Sequence, residues 1–337
     1  MSLPSAILVT GGAGYIGSHT VRHLAATTGE RIVVLDSLEY GHRDALVSDN
    51  TELVVGNMAD PAVIEGIFSR YQINAVLHFA AYAMVGESVT EPLKYYANNI
   101  AAPLVLLEAM RRNGTKHFIF SSTCATFGNP QYVPMDEQHP QQPINPYGRS
   151  KLMLEQVLRD CDHAHGIQHV ILRYFNASGC SADGAIGEDH TPESHIIPRT
   201  LMAITGEAPH VTLFGTDYPT PDGTCIRDYI HVQDLAEAHV CALNYLRGGQ
   251  PSTHVNLGTG TGVSVREIIN LAESVTGKTV PVVLGPRREG DPPELVGNPA
   301  KAKAVLGWEA RYRDPRAMVE SAWAWLTGPR KGRYPAN

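Results

Sequence analysis

The feature that most constrains the fold is a glycine-rich turn near the start of the chain. Gly11, Gly14 and Gly17 follow an apolar run at residues 6–10 and precede a helical pattern at 18–26. Glycines let a backbone approach a pyrophosphate closely, and the N-terminus of the following helix offers free N–H groups and a partial positive charge. A glycine pattern alone is weak evidence, but this one lies between a strand and a helix, as the motif requires. The turn therefore predicts a site for a dinucleotide.

Asp36 ends the second apolar run, residues 31–36. A carboxylate at this distance from the glycine turn accepts hydrogen bonds from the hydroxyls of the adenosine ribose and repels a 2′-phosphate. The residues that follow, 37–40, include no arginine to bind such a phosphate. The sequence therefore predicts that the cofactor is NAD and not NADP.

Apolar runs continue to alternate with helical patterns through the first half of the chain. Continuously apolar strands separated by helices indicate a parallel sheet that is covered on both faces. Further strands are predicted at 53–55, 75–80 and 118–122, and helices at 61–71, capped by Asp60, and at 101–112. The predicted fold class is α/β, with a Rossmann-type, doubly wound parallel sheet.

The second half of the chain has a different texture. Residues 181–195 and 217–224 are rich in glycine, proline and polar residues, and strand–helix patterns return at 228–246 and 255–275. The 337 residues are enough for about two domains. We predict an NAD-binding Rossmann domain at 1–180 with returning segments at about 228–262, a smaller interleaved substrate-binding region at 181–227 and 263–330, and a solvated tail at 331–337.

Composition excludes several classes of function. A net charge of −7 and a pI near 6.1 argue against a nucleic-acid polymer or an anionic membrane as partner. Five scattered cysteines without CxxC spacing predict neither a disulfide framework nor a zinc site, and no metal is expected. The sequence contains no leader and no long uncharged apolar run, which favours a cytoplasmic location.

A tyrosine and a lysine are four residues apart at Tyr147 and Lys151, on one face of a predicted helix. A phenol titrates near pH 10, too high for a base at neutral pH. A lysine charge about 4 Å away, at an effective dielectric near 20, is worth up to ~4 kcal/mol and would bring the pKa of the phenol toward 7. Thr123, at the end of a predicted strand, supplies a hydroxyl that can share the substrate proton.

Together these motifs resemble the extended short-chain dehydrogenase/reductase superfamily and, within it, the UDP-glucose 4-epimerase family. The resemblance covers about residues 7–325. Beyond the glycine turn and the Tyr–Lys pair, the stretches that carry it are 85–88, 96–99, 173–176, 222–231 and 287–291.

The resemblance implies a mechanism in which tightly bound NAD is regenerated in every turnover. In the family, a hydride leaves C4 of the hexose while the tyrosine removes the 4-hydroxyl proton. The resulting 4-keto sugar turns about its diphosphate linkage and receives the hydride on its other face. The resemblance also implies a UDP-sugar substrate, a role in galactose metabolism and a homodimer.

The family's functional positions carry over residue by residue. Tyr147 is the implied base, Lys151 its electrostatic partner and Thr123 the assisting hydroxyl. The implied NAD positions are Gly11, Gly14, Tyr15, Ile16, Gly17, Asp36, Ser37, Asn57, Met58, Phe79, Ala80, Asn98, Ser121, Tyr147, Lys151 and Phe175. The implied UDP-sugar positions are Thr123, Tyr147, Asn176, His195, Ile196, Phe214, Arg227, Arg288 and Asp291. Arginine donates bidentately to phosphate oxygens, so Arg227 and Arg288 are the expected diphosphate ligands, whereas Phe214 fits either a uracil platform or a core position.

Three other functions are compatible with parts of this pattern. A sugar-nucleotide dehydratase or decarboxylase needs an acidic residue beside the hydroxyl, but Cys124 and Ala125 follow Thr123. A nonenzymatic NAD sensor would have no need of Tyr147 and Lys151. A 4-epimerase of an N-acetylated or pentose UDP-sugar is the third alternative. The resemblance places Leu295 at the position that gates the sugar's 2-substituent in the family, and the bulk of this side chain indicates a tight pocket.

Overall fold

The computed structural model describes residues 3–288 and 290–335. Within them the strands are β1 (Ser5–Thr10), β2 (Ile32–Asp36), β3 (Thr51–Val55), β4 (Gln72–His78), β5 (His117–Thr123), β6 (Gln168–Tyr174), β7 (Asn176–Ser178), β8 (Val211–Phe214), β9 (Ile226–His231), β10 (Thr253–Leu257), β11 (Gly262–Ser264), β12 (Val282–Gly285) and β13 (Glu294–Leu295). The helices are α1 (Tyr15–Thr28), α2 (Pro61–Arg70), α3 (Val85–Thr90), α4 (Pro92–Tyr96), α5 (Ala102–Asn113), α6 (Pro146–His165), α7 (Ile196–Thr205), α8 (Val232–Arg247), α9 (Val265–Thr276), α10 (Ala300–Leu306) and α11 (Pro315–Thr327). A π-helical stretch, Ala97–Ala101, joins α4 to α5.

Seven parallel strands form the central sheet, in the order β10-β6-β5-β4-β1-β2-β3. The chain moves outward from β1 to β3 and then returns to place β4 on the other side of β1. In a doubly wound sheet, the crevice outside the carboxyl ends of the strands at this reversal is where ligands bind. The predicted α/β fold class is confirmed.

Both faces of the sheet are buried, as the apolar strand sequences require. Along β1, Ile7 and Val9 face the core that includes side chains of α1 and α8. Ala6 and Leu8 point to the opposite face and join side chains of α2, α5 and α6. This alternation follows from the two-residue period of a strand. Because side chains pack on both faces of the sheet, the ends of β1 and β4 are held in place at the crevice.

The smaller region is built around β9, which pairs with β7, β11 and β13, and around the two parallel strands β8 and β12. A third core packs β8 and β9 against α7, α9 and α11. The chain enters this region after β6, returns to the large sheet with α8 and β10, and then leaves it again. Among the described residues, no helix is both long enough and apolar enough to span a membrane.

The sequence-based element bounds differ from the structure in two informative places. Helix α1 begins at Tyr15, three residues before the predicted start, because Gly14 acts as its N-cap with extended backbone angles. Strand β6 was not among the predicted strands, since His169, Arg173 and Tyr174 interrupt its apolar character. Tertiary context supplies partners that local pattern cannot show.

The predicted solvated tail is wrong at Tyr334. Its side chain is buried, and its hydroxyl accepts a hydrogen bond of 2.9 Å from the backbone N–H of Gly187. The Tyr334 ring stacks on His42 and also contacts Trp325. The charged residues near the end of the chain suggested a solvated segment, but this single aromatic side chain anchors it.

Candidate active site

A cleft of about 500 Å³ opens where β1 and β4 end. The fold places the glycine turn, the end of β2, the end of β5 and the start of α6 around one crevice. Every residue predicted to bind NAD lines the cleft: Gly11, Gly14, Tyr15, Ile16, Gly17, Asp36, Ser37, Asn57, Met58, Phe79, Ala80, Asn98, Ser121, Tyr147, Lys151 and Phe175. Their roles toward the cofactor remain predictions.

The three glycines of the turn serve different purposes. Gly11 has a positive φ of 70°, and a Cβ there would lie 2.5 Å from the backbone nitrogen of Ala80. A Cβ on Gly17 would collide with the carbonyl oxygen of Gly11. Both glycines are therefore required by packing inside the protein, independently of any ligand.

Gly14 is different, since a Cβ there would meet only the Gly11 oxygen, at 3.4 Å. Its φ of −78° is also open to any residue. The missing side chain at Gly14 thus leaves a cradle on the cleft side of the turn. Helix α1 has no side-chain cap and no acidic residue in its first turn, so its leading N–H groups can bind an anion. The cradle fits the diphosphate of a dinucleotide.

Asp36 is held in position by the backbone around it. One carboxylate oxygen accepts a hydrogen bond from the Ala13 N–H and the other from the Leu38 N–H, both at 2.9 Å. Burial raises the pKa of Asp36, and these two hydrogen bonds oppose the rise. Each carboxylate oxygen has a second lone pair, so the fixed group can still accept the ribose hydroxyls. This arrangement fits NAD.

Tyr147 lies in the first turn of α6, which starts at this point because Asn145 caps it. The Asn145 side chain accepts a 2.8 Å hydrogen bond from the Gly148 N–H, and Pro146 occupies the first helical position. Tyr147 and Thr123 both line the cleft. Burial raises the pKa of the Tyr147 phenol, as does the neighbouring Tyr174, whereas a hydrogen bond with Thr123 lowers it.

Lys151 lies one turn further along α6 and is buried. Its ammonium donates a 2.9 Å hydrogen bond to the backbone oxygen of Ser121 and lies 4.9 Å from the Phe120 ring centre. Burial lowers the pKa of Lys151 to about 7. Among the protein's own groups, burial raises the pKa of the phenol more than its neighbours lower it. The expectation that Lys151 together with the nicotinamide brings the phenol toward neutrality stays a prediction. A positive charge on the nicotinamide ring of bound NAD⁺ would lower the pKa of the Tyr147 phenol.

A buried acidic network lies beneath Lys151. Glu155 accepts two hydrogen bonds from the Arg173 guanidinium, at 3.0 and 2.6 Å, and one from the Ser122 hydroxyl at 2.7 Å. Burial raises the pKa of Glu155, but Arg173 reverses this and holds the pKa below its usual value. The Glu155 charge in turn opposes the fall in the pKa of Lys151. This network ties α6 to β5 and β6 below the reactive side chains.

Four of the predicted UDP-sugar residues form one linked group beside the cleft. Asp291, which lines the cleft, makes ion pairs with Arg227 and with Arg288. The Arg288 guanidinium also lies 4.9 Å from the ring centre of Phe214. One carboxylate is shared by two arginines, so the group keeps a net positive charge suited to an anionic ligand.

Comparison with known proteins places this geometry in a family. Residues 7–258 match the NAD dependent epimerase/dehydratase family. The chain is 49% identical to a UDP-glucose 4-epimerase of Streptococcus mutans over 97% of its length and 98% of the relative's.

The chain belongs to the UDP-glucose 4-epimerase family.

Solved structures of this family share the whole fold. A UDP-glucose 4-epimerase from Brucella ovis in complex with NAD aligns with a TM-score of 0.91 at 48% identity, covering 95% of this chain and 97% of that one. A Stenotrophomonas maltophila UDP-glucose 4-epimerase with bound NAD and formylated UDP-arabinopyranose aligns with a TM-score of 0.91 at 40% identity, covering 96% and 97%. The matched family is NAD-dependent, in agreement with the cofactor predicted from Asp36.

The remaining predicted substrate residues of this family member lie in different settings. Asn176 and His195 line the cleft, whereas Ile196 packs at the edge of the third core. Phe214, Arg227 and Arg288 are not part of the cleft wall itself and reach it through Asp291. Phe214 is exposed, which excludes the alternative that it is a core residue.

Sequence reasoning missed one residue that lines the cleft and one that supports it. Tyr174 lines the cleft and shares a 2.5 Å hydrogen bond with the Ser121 hydroxyl. Buried Asn99 does not line the cleft, but it bonds both backbone groups of Tyr82, a cleft residue, at 2.9 and 3.0 Å. The sequence alone shows neither the direction of the Tyr174 side chain nor the partner of Asn99.

Proposed function

We propose that this chain interconverts UDP-glucose and UDP-galactose at C4 through a transient 4-keto hexose, with NAD retained between turnovers. The observation that carries this proposal is the meeting of Tyr147 and Thr123 in the cleft that also contains the Gly14 cradle and Asp36. A base for the sugar hydroxyl and a dinucleotide site thus share one space. When bound, NAD supplies the acceptor and then the donor of the C4 hydride.

The chain's own groups handle the proton and the orientation of the sugar. In its deprotonated form, as the phenolate, Tyr147 would take the 4-hydroxyl proton as the hydride leaves C4, and the resulting phenol would return that proton when the hydride comes back on the other face. Thr123 is placed to share that proton through its hydrogen bond with Tyr147. Lys151 holds the backbone of β5 at Ser121 through its hydrogen bond to the Ser121 oxygen. We assign general-base catalysis to Tyr147.

The linked group of Arg227, Arg288 and Asp291 is proposed to hold the UDP diphosphate, with Phe214 as the platform for the uracil ring. Its net positive charge favours an anion, and Asp291 lines the same cleft as Tyr147. Asn176 and His195 are proposed as further contacts of the UDP-sugar. Ile196, at the start of α7, is proposed to contribute backbone near the same ligand.

The alternative of a larger or smaller sugar depends on Leu295. This side chain lines the cleft and packs with Phe127, Met135 and Phe175 in a small apolar cluster. The cluster fixes the wall against which the sugar's 2-substituent would lie. We therefore propose that UDP-N-acetylhexosamines are poorer substrates. Elimination of water is not favoured, because Cys124 and Ala125 are the cleft residues beside Thr123.

The direct test is to incubate the purified protein with UDP-galactose, without added NAD, and to separate the products chromatographically. Formation of UDP-glucose without added cofactor supports both the reaction and the retention of NAD. No UDP-glucose even after NAD is supplied would overturn the proposal. A parallel incubation with UDP-N-acetylgalactosamine tests the wall formed by Leu295.

We further propose a cytoplasmic homodimer that acts in galactose metabolism. Large apolar side chains are exposed on neighbouring helices: Leu93 on α4 is 81% exposed, Leu104 on α5 45% and Met153 on α6 41%. Exposed apolar side chains mark protein interfaces where they form one patch, and we propose that these three do so. Light scattering should give twice the chain mass, and Leu104→Glu should give the monomer mass. A wild-type chain that is monomeric at micromolar concentration would contradict this assignment.

A further inference from the structure

Two glutamates and two histidines converge on the loop that precedes α7. Their ligand atoms, from Glu188, His190, Glu193 and His195, all lie within 4.8 Å of one another. His190 and His195 also line the cleft. The expectation of no metal site considered cysteine spacing only, and these four residues are brought together by the fold of the loop.

The spacing of the donor atoms suits a small dication. Glu188 Oε1 lies 3.2 Å from His190 Nδ1 and 2.5 Å from His195 Nδ1. The Glu193 oxygens lie 3.8 Å from His190 Nδ1 and 3.4 Å from His195 Nδ1. In a tetrahedral site with zinc–ligand bonds of 2.0–2.1 Å, neighbouring ligand atoms are about 3.3 Å apart. Two of these four separations, 3.2 and 3.4 Å, are close to that edge length.

The charges of the cluster also suit a dication. The glutamate side chains are only 6% and 5% exposed, and two buried carboxylates need two positive charges to balance them. Either two imidazolium protons or one divalent ion can provide that balance. Imidazole nitrogen and carboxylate oxygen are both ordinary ligands of zinc.

One hydrogen bond from outside the loop and two within it hold the cluster, as a preorganised site requires. The Trp325 indole N–H donates a 3.0 Å hydrogen bond to the backbone oxygen of Glu188. The N–H groups of Ser194 and His195 both donate to Glu193 Oε1, at 2.7 Å. On the cleft side, Tyr15 contacts His190 edge-to-face with ring centres 6.0 Å apart. These contacts fix the carboxylate and imidazole groups without using a metal.

We propose that Glu188, His190, Glu193 and His195 bind one divalent transition-metal ion, with Zn²⁺ the best match to the mixed oxygen and nitrogen donors. The ion links the loop to itself at the mouth of the cleft and adds positive charge beside Tyr15, at the start of α1. This site is separate from the hydride and proton chemistry, and the inference does not depend on the proposed reaction.

The test uses full-length protein without a polyhistidine tag, stripped with a chelator and dialysed. Titration with Zn²⁺ should show one ion per chain by calorimetry, and Co²⁺ should give the intense visible bands of a tetrahedral complex. His190→Ala and Glu188→Gln should each weaken Zn²⁺ binding at least about 10-fold. The control variant His163→Ala removes an exposed histidine of α6 and should bind as the wild type does.

The outcomes separate the two ways of balancing the charge. Failure of the wild-type chain to take up one ion would overturn the proposal and leave two imidazolium protons as the counter-charge. Equal binding by wild type and His190→Ala would overturn it too, since the ion would then lie elsewhere. If Glu188→Gln does not fold, the Zn²⁺ affinity of His190→Gln is compared with that of the wild type instead, after circular dichroism has shown that this variant is folded. The stoichiometry measured on the wild type needs no variant.

Discussion

At the scale of single residues, the site is controlled by desolvation. Tyr147 and Lys151 lie on one helix face, as their spacing predicted. Burial raises the pKa of Tyr147 and lowers that of Lys151, so it favours the neutral form of each group. The sequence indicates which two groups meet, but not how much water each one loses. It also cannot show that the Lys151 ammonium is directed at a backbone oxygen. Residue identities were therefore predictable here, and their electrostatics were not.

The role of Tyr147 is tested by Tyr147→Phe, which removes only the phenol oxygen. We expect kcat to fall by about 10²–10⁴-fold, the usual contribution of a general base, while NAD remains bound. The measurement is UDP-galactose turnover together with the cofactor content of the purified protein. Tyr245→Phe, in α8 and outside the cleft lining, is the matched control. Unchanged turnover in Tyr147→Phe would exclude the phenol as base.

The glycine turn gives a second prediction, because Gly14 and Gly17 differ in what a Cβ would meet. Gly14→Ala fills the cradle and should weaken NAD binding at least about 10-fold, while the free energy of unfolding changes by no more than about 1 kcal/mol. Gly17→Ala meets backbone inside the protein and should destabilise the fold by about 1–3 kcal/mol. Cofactor titration and urea unfolding of both variants make the comparison. Equal affinity for NAD in Gly14→Ala and wild type would show that the cradle does not hold the diphosphate.

At the scale of elements, local signals predicted most of the large sheet and little of the smaller region. The runs that became β1, β2, β4 and β5 are apolar because both faces of the sheet are covered. β6 carries Arg173, whose charge is balanced by Glu155 of α6, a partner that is visible only in three dimensions. The convergence of Glu188, His190, Glu193 and His195 was missed for the same reason, since a loop without periodicity does not indicate where its side chains point. The loop-rich composition of 181–195 was evident, but not its geometry.

The cap of α6 links an element to catalysis, because Tyr147 lies in the first turn. Asn145→Ala should cost about 1 kcal/mol of stability and should also lower kcat, since the first turn frays. Asp60→Ala removes the equivalent cap of α2, where Asp60 accepts a 2.9 Å hydrogen bond from the Ala62 N–H. That variant should lose similar stability and keep its kcat. Urea unfolding and turnover measured on both proteins separate the two effects, and an unchanged kcat in Asn145→Ala would show that the cap acts on stability alone.

At the scale of the whole molecule, burial of Lys151 connects the site to global stability. Its folded pKa of about 7 lies below the ordinary lysine value of about 10.4, so between these pH values the unfolded chain binds a proton that the folded chain lacks. The contribution of Lys151 to the free energy of unfolding therefore rises with pH across that window. Burial of Lys151 in the site therefore lowers the free energy of unfolding near neutral pH.

Replacement of Lys151 by methionine should remove this pH dependence. From pH 7.5 to 9.5 the free energy of unfolding of the cofactor-free wild type should rise, relative to Lys151→Met, by up to about 1.4 kcal/mol per pH unit. Urea titrations at three pH values give the two slopes, and Lys116→Met, which removes an exposed lysine, should follow the wild type. Parallel lines for wild type and Lys151→Met would contradict the prediction.

The last strand of the large sheet has a consequence for synthesis on the ribosome. β10 pairs with β6, but Val170 and its partner Thr253 are separated by the whole first part of the smaller region. At synthesis rates of about 5–20 residues per second, the outer edge of β6 therefore waits roughly 4–17 seconds for its neighbour. An unpaired strand edge is a template for pairing with other chains. The interleaved order of the two regions thus sets a period during translation in which the nascent sheet must be shielded.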